Sequence, residues 1–124
     1  MMERKTPQLA AIKQVFIDNH SPMRLEEVLN KAKSIVPGLG QATVYRWIKN
    51  LLKIGWIVAV NGPNSSILYE KAGKGHHHHF FCRRCGSMHE IQGTCIEASN
   101  VSIPSGFVVE DHELTIYGLC PSCS

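Results

Sequence analysis

Along the first 55 residues apolar side chains recur at the three- and four-residue spacing of an α-helix, and three helices are expected. Leu9, Ile12 and Phe16 share one face behind Thr6 and Pro7, an N-cap followed by proline at the first helical position. The run Asn19-His20-Ser21-Pro22 should end that helix. In a second helix Leu25, Val28, Leu29 and Ala32 stand at i, i+3, i+4 and i+7, with Glu26 and Glu27 in the first turn. Val36-Pro37-Gly38-Leu39-Gly40 then breaks the chain. A third helix runs from about Gln41 to Ile54 and stops at Gly55.

That third helix has two distinct sides. Val44, Trp47, Ile48, Leu51 and Leu52 fall together, while Thr43, Arg46, Lys49, Asn50 and Lys53 fall opposite, with Tyr45 at the border. A face of this kind can reach phosphates and base edges, although a plain solvated face has the same composition. The next stretch favours the first reading. Trp56–Val60 and Ser66–Glu70 have the pattern of two strands, joined by Asn61-Gly62-Pro63-Asn64-Ser65, and Asn-Gly is a strong hairpin signal. Three helices followed by a hairpin make a winged helix, whose last helix enters the major groove of DNA.

Lys71-Ala72-Gly73-Lys74-Gly75 reads as a hinge, so a DNA-binding domain is expected over residues 1–72 and a second domain over 73–124. The second half is strand-like at His79–Cys82, Ser87–Gln92 and Phe107–Leu119, with room for one helical turn between Thr94 and Ser105. The fold class is therefore α+β. About 50 residues are too few for an independent core, and this half needs a staple, a partner, or both.

Charge and cysteine content sharpen the picture. Residues 1–72 carry ten Lys/Arg against five Asp/Glu, and residues 73–124 carry three against five. A basic half suits a polyanion, and a less basic half rich in His and Cys suits metal. No apolar run approaches the length of a membrane span and no secretory leader is visible, so the cytoplasm is expected, where such cysteines more often hold metal than form disulfides. Five cysteines also cannot all pair.

Cys82, Cys85, Cys120 and Cys123 form two Cys-x-x-Cys knuckles with 34 residues between them. Two such pairs make a closed tetrahedral sulfur site, and closed sites are structural. The alternative is a redox-active dithiol. His76-His77-His78-His79 runs directly into Phe80-Phe81-Cys82. If the segment is extended, His77 and His79 share one side and His76 and His78 the other. One quartet can then serve two nitrogen/oxygen sites, with Glu70, His89, Glu90, Glu97 and His112 as available partners. Mixed imidazole and carboxylate ligands suit Zn(II), Fe(II), Mn(II) or Ni(II). Without the neighbouring carboxylates and knuckles, a solvated polyhistidine turn would account for the run.

Three stretches carry a family resemblance: Ala42-Thr43-Val44-Tyr45-Arg46, the segment His76 to Gly86, and Tyr117-Gly118-Leu119-Cys120-Pro121-Ser122-Cys123. Through them the chain resembles the ferric uptake regulator family, whose members sense iron, zinc, manganese, nickel or peroxide. The resemblance implies a homodimer that binds palindromic operator DNA when loaded with metal, with Tyr45 and Arg46 meeting DNA and the four knuckle cysteines holding structural zinc. It also implies a regulatory site from Glu70, His77 and His79, and a second site from His76, His78, Glu97 and His112, with Glu90 near both. His89 is an alternative regulatory ligand. Several positions depart from the family pattern. Pro22 or Met23 stands where a histidine ligand is often found, with His20 close by. His78 replaces an aspartate of some iron regulators, and Leu9 an arginine of the Thr-Pro-Gln-Arg stretch. Cys95 is either a ligand or a small buried residue.

The function expected is a metal-responsive repressor with structural Zn(II) and regulatory Zn(II) or Fe(II). Its DNA face would use Thr43, Tyr45, Arg46, Lys49 and Asn50. A peroxide sensor of the same family and a constitutive zinc-stapled DNA-binding protein are the alternatives. A zinc hydrolase would need an open coordination position and a general base, and no His-Glu-x-x-His motif is present.

Overall fold

The computed structural model describes residues 6–74, 77–91 and 101–124, and the chain divides between residues 75 and 76 into two compact units. The expectations placed on His76, Cys95 and Glu97, and on most of the segment from Thr94, lie outside the described residues.

In the first unit Thr6 caps α1 (Pro7–Asp18), its hydroxyl accepting from the Leu9 amide at 3.1 Å. One N–H that the first turn cannot satisfy internally thereby gains a partner. At the start of α2 (Leu25–Lys33) the Arg24 amide donates to the Glu27 carboxylate at 3.3 Å. α3 (Gln41–Lys53) ends where Gly55 adopts φ +77°, a conformation that glycine enters without a side-chain penalty. Ile12, Val28, Ala32, Val44, Ile48 and Leu51 are completely buried, with Phe16, Leu39 and Ile57 beside them. The three helices meet along the apolar faces that the sequence periodicity marks.

β1 (Ile57–Asn61) and β2 (Ile67–Lys71) form an antiparallel hairpin with Ala59 opposite Tyr69. The connection is a short 3-10 turn, Pro63–Ser65, in which Asn64 and Ser65 have φ of 56° and 62°. Tyr69 also exchanges two backbone hydrogen bonds with Met23, at 2.9 and 2.8 Å, which ties the entry of α2 to the hairpin. This is the winged-helix arrangement.

The second unit contains a three-stranded sheet in the order β4-β3-β5: β3 (His78–Cys82) lies between β4 (Met88–Ile91) and β5 (Thr115–Gly118). β4 runs antiparallel to β3 and β5 runs parallel to it. A Cβ at Gly118 would stand 2.9 Å from the ring of Phe80, so a larger residue there would require that ring to shift. The expected strand over Phe107–Leu119 is corrected to its last part. Val and Phe favour strand, but a strand exists only where a ladder pairs it, and among the described residues β3 pairs only with Thr115–Gly118 on that side.

Candidate functional site

The two knuckles are brought together by the sheet. Cys82 ends β3, Cys85 comes in the turn before β4, and Cys120 and Cys123 come after β5, whose Gly118 stands beside Cys82. One sulfur from each of the four cysteines lies within 4.8 Å of all the others. The Cys85 and Cys120 sulfurs are 3.8 Å apart. That is the edge expected of a sulfur tetrahedron with a Zn–S bond of about 2.3 Å.

The electrostatics of the quartet also call for a cation. Amide N–H groups of Cys85 (3.5 Å) and Cys120 (3.4 Å) donate to the Cys82 sulfur. These donors, Cys85 first, lower the Cys82 thiol to about 5. The Ser87 hydroxyl, 3.0 Å from the Cys85 sulfur, holds that thiol below its ordinary range. Cys123 is pushed the other way, to about 12, chiefly by its hydrogen bond with Cys120. Four thiolates crowded together repel one another. A divalent soft ion allows all four to ionise. The donor set fits structural Zn(II), which would supply closed coordination and no open position for chemistry.

A second group of potential ligands sits on the same sheet. β3 alternates its histidines between faces, as any strand must. His77 and His79 converge, with ring centroids 4.7 Å apart, and His77 Nε2 is 3.6 Å from Glu90 Oε1. Glu90 stands directly opposite His79 in the register. Two imidazoles and a carboxylate fit a regulatory Zn(II) or Fe(II). His78 is buried on the other side, with its ring 5.1 Å from that of His112.

His89 goes elsewhere. It is opposite Phe80, one residue out of step with Glu90, and its Nε2 bonds Ser87 Oγ at 2.9 Å. Ser87 in turn meets Cys85, so His89 belongs to the surroundings of the sulfur quartet. Glu70 lies on β2 of the first unit, almost completely buried.

On α3 the polar face is exposed as its spacing implies. Tyr45 is half exposed, with the Lys49 ammonium 5.5 Å from its ring centre. Arg46 donates to Thr43 Oγ1 at 3.4 Å. Thr43, Arg46 and Asn50 line a cleft with Trp47 and with Gln8 from the start of α1. Leu9, which stands where the family pattern often has arginine, is only 2% exposed and packs in the core, so it offers no contact to DNA.

Residues 2–117 match the family model described as the ferric uptake regulator family. The chain belongs to the ferric uptake regulator family. It is 32% identical to the "Ferric uptake regulation protein" of Bacillus subtilis (strain 168), over 96% of this chain and 84% of that one. Among solved structures it is similar to the iron-containing ferric uptake regulator of Francisella tularensis, with a TM-score of 0.79 and 29% identity over 99% and 98% of the two chains. It is similar also to a zinc-bound manganese uptake regulator, with a TM-score of 0.84 and 26% identity over 95% and 91%. The family consists of metal-responsive regulators of transcription. No helix among the described residues is long and apolar enough to cross a membrane.

Three side chains escape the sequence reading of this family member. Ser87 joins Cys85 to His89, Lys74 stands 3.4 Å from Glu70, and Gln8 faces Arg46 and Asn50 across the cleft. Only Gln8 left a signal, since Thr6-Pro7 fixes where its helix starts.

Proposed function

We propose that the chain is a repressor of metal-homeostasis genes, active in the cytoplasm, that binds palindromic operator DNA as a homodimer when a regulatory metal is loaded. Zn(II) is the first choice and Fe(II) the second, because the ligand set is rich in imidazole. The single observation that carries this reading is the separation of donors: four sulfurs gather in one cluster, while His77 meets both His79 and Glu90 apart from it. The first set suits a permanent ion and the second an exchangeable one.

Glu70 completes the regulatory set in this reading. Only six residues separate it from His77, a span that an extended chain covers many times over the radius of a metal site. A ligand set with members before and after the hinge makes metal affinity depend on the arrangement of the two units. Metal then favours whichever arrangement it binds better, and no other influence on DNA affinity is needed. His78 and His112, together with His76 and Glu97, form the proposed second site.

Thr43, Tyr45, Arg46, Lys49 and Asn50 read or contact the operator. Two copies of α3 then address successive major grooves, roughly 34 Å apart. Support for a dimer comes from Phe107 and Val108, which are 71% and 86% exposed, with Val101, Ile103 and Val109 also exposed. So many exposed apolar side chains within nine residues suit a partner surface.

The test is operator binding by gel shift with and without Zn(II) or Fe(II), for the wild type and for Arg46→Ala. Metal should strengthen operator binding by wild type at least tenfold, and Arg46→Ala should lose operator binding while retaining metal. Binding that ignores metal would overturn the regulatory reading in favour of a constitutive DNA-binding protein. Release of DNA by micromolar peroxide from the iron form, with a ligand histidine oxidised, would replace metal sensing with peroxide sensing.

A further inference from the structure

Glu70 is 2% exposed, and a carboxylate withdrawn this far from water needs a cation or several N–H donors. Lys74 provides a cation. Its Nζ lies 3.4 Å from Glu70 Oε2 and also donates to the backbone carbonyl of His20. Lys74 itself is only 16% exposed. The ammonium therefore links the segment after β2 to the chain leaving α1, with all three groups in the first unit.

Glu70 is also the carboxylate that the proposed function assigns to the regulatory ion, and the role inferred for Lys74 rests on that assignment. A divalent ion on the same oxygen would face the lysine's positive charge at close range, and the two cations would repel. We propose that Lys74 is a built-in competitor for the regulatory metal. It neutralises Glu70 in the metal-free chain, yields it when the ion enters, and so sets the metal concentration at which the protein responds. Its displacement would also free the His20 carbonyl, loosening the segment that begins the hinge at the moment the ion binds. A regulator of homeostasis needs a threshold rather than the tightest possible site, and an internal cation raises the threshold without removing a ligand.

Competition against a chromophoric chelator would measure Zn(II) affinity of the full chain with the knuckle zinc in place. Lys74→Met should bind regulatory Zn(II) about 10- to 100-fold more tightly than wild type. Lys74→Arg keeps the charge and should stay within about threefold, whereas Glu70→Gln should weaken binding. The metal-free Lys74→Met protein should melt below wild type, with a larger rise in Tm on saturation with Zn(II). Lys74→Gln carries the same expectation should the methionine variant not fold. Unchanged or weaker Zn(II) binding in Lys74→Met, with weakened binding in Glu70→Gln, would overturn the competitor and leave the metal site intact. Unchanged binding in Glu70→Gln would overturn the ligand role of Glu70 and the competitor with it.

Discussion

In the first unit Leu9, Ile12, Val15, Phe16, Val28, Val44, Ile48, Leu51 and Ile57 leave almost no surface to water, whereas the side chains so enclosed in the described part of the second are Cys82, Met88, Cys120 and His78. Fully burying one aliphatic or aromatic side chain contributes roughly 1.5–3 kcal/mol, as an upper estimate. The three-helix unit can therefore draw its stability from apolar contact alone. The described residues of the sheet unit offer no comparable apolar core, and two of their few buried side chains belong to the sulfur quartet that fits zinc. One half is organised around an apolar core, and the described part of the other around groups that could hold metal. Such a division suits a regulator, because metal chemistry can act on one unit while the other keeps its DNA-reading shape.

The largest effect should come from breaking the staple. Cys120→Ser should release the knuckle zinc and unfold the second unit, since structural zinc contributes roughly 10–16 kcal/mol of apparent binding free energy. Circular dichroism should keep the helical signal of α1–α3 while the sheet is lost. A zinc-free Cys120→Ser protein with its β3–β5 amides still protected from exchange would erase the contrast between the units.

A smaller effect is expected on the other side of the comparison. Ile48 is completely buried between the helices, and Ile48→Ala should cost about 2–5 kcal/mol of unfolding free energy. Denaturant titration of the first unit's helical signal should record that loss. Elemental analysis should show the knuckle zinc at wild-type level. Loss of zinc together with the helical core would mean that the two units fold as one.

Legibility in the sequence divides along the same line. The helices were legible because their apolar periodicity, the Thr6 cap and Gly55 are local, and the knuckles because two residues span each pair of sulfurs. The strand from Phe107 was overestimated, because side-chain preference says nothing about whether a neighbouring ladder exists. His89 and Glu90 could not be ranked as ligands from their adjacency in sequence. The register opposite β3 separates them, turning Glu90 toward His77 and His89 toward Ser87. Lys74 was invisible for a related reason. A lysine in a Gly-rich hinge looks solvated until the burial of Glu70 is known.

The independence of the two ligand sets is tested most directly by His77→Ala with His79→Ala in one protein. Zinc content, sheet protection and operator affinity with added Zn(II) would be measured on the same sample. The double variant should keep its knuckle zinc and folded sheet while losing the metal dependence of operator binding. A double variant that still tightens on operator DNA when Zn(II) is added would contradict the account, for the ion that controls DNA binding would then be held elsewhere.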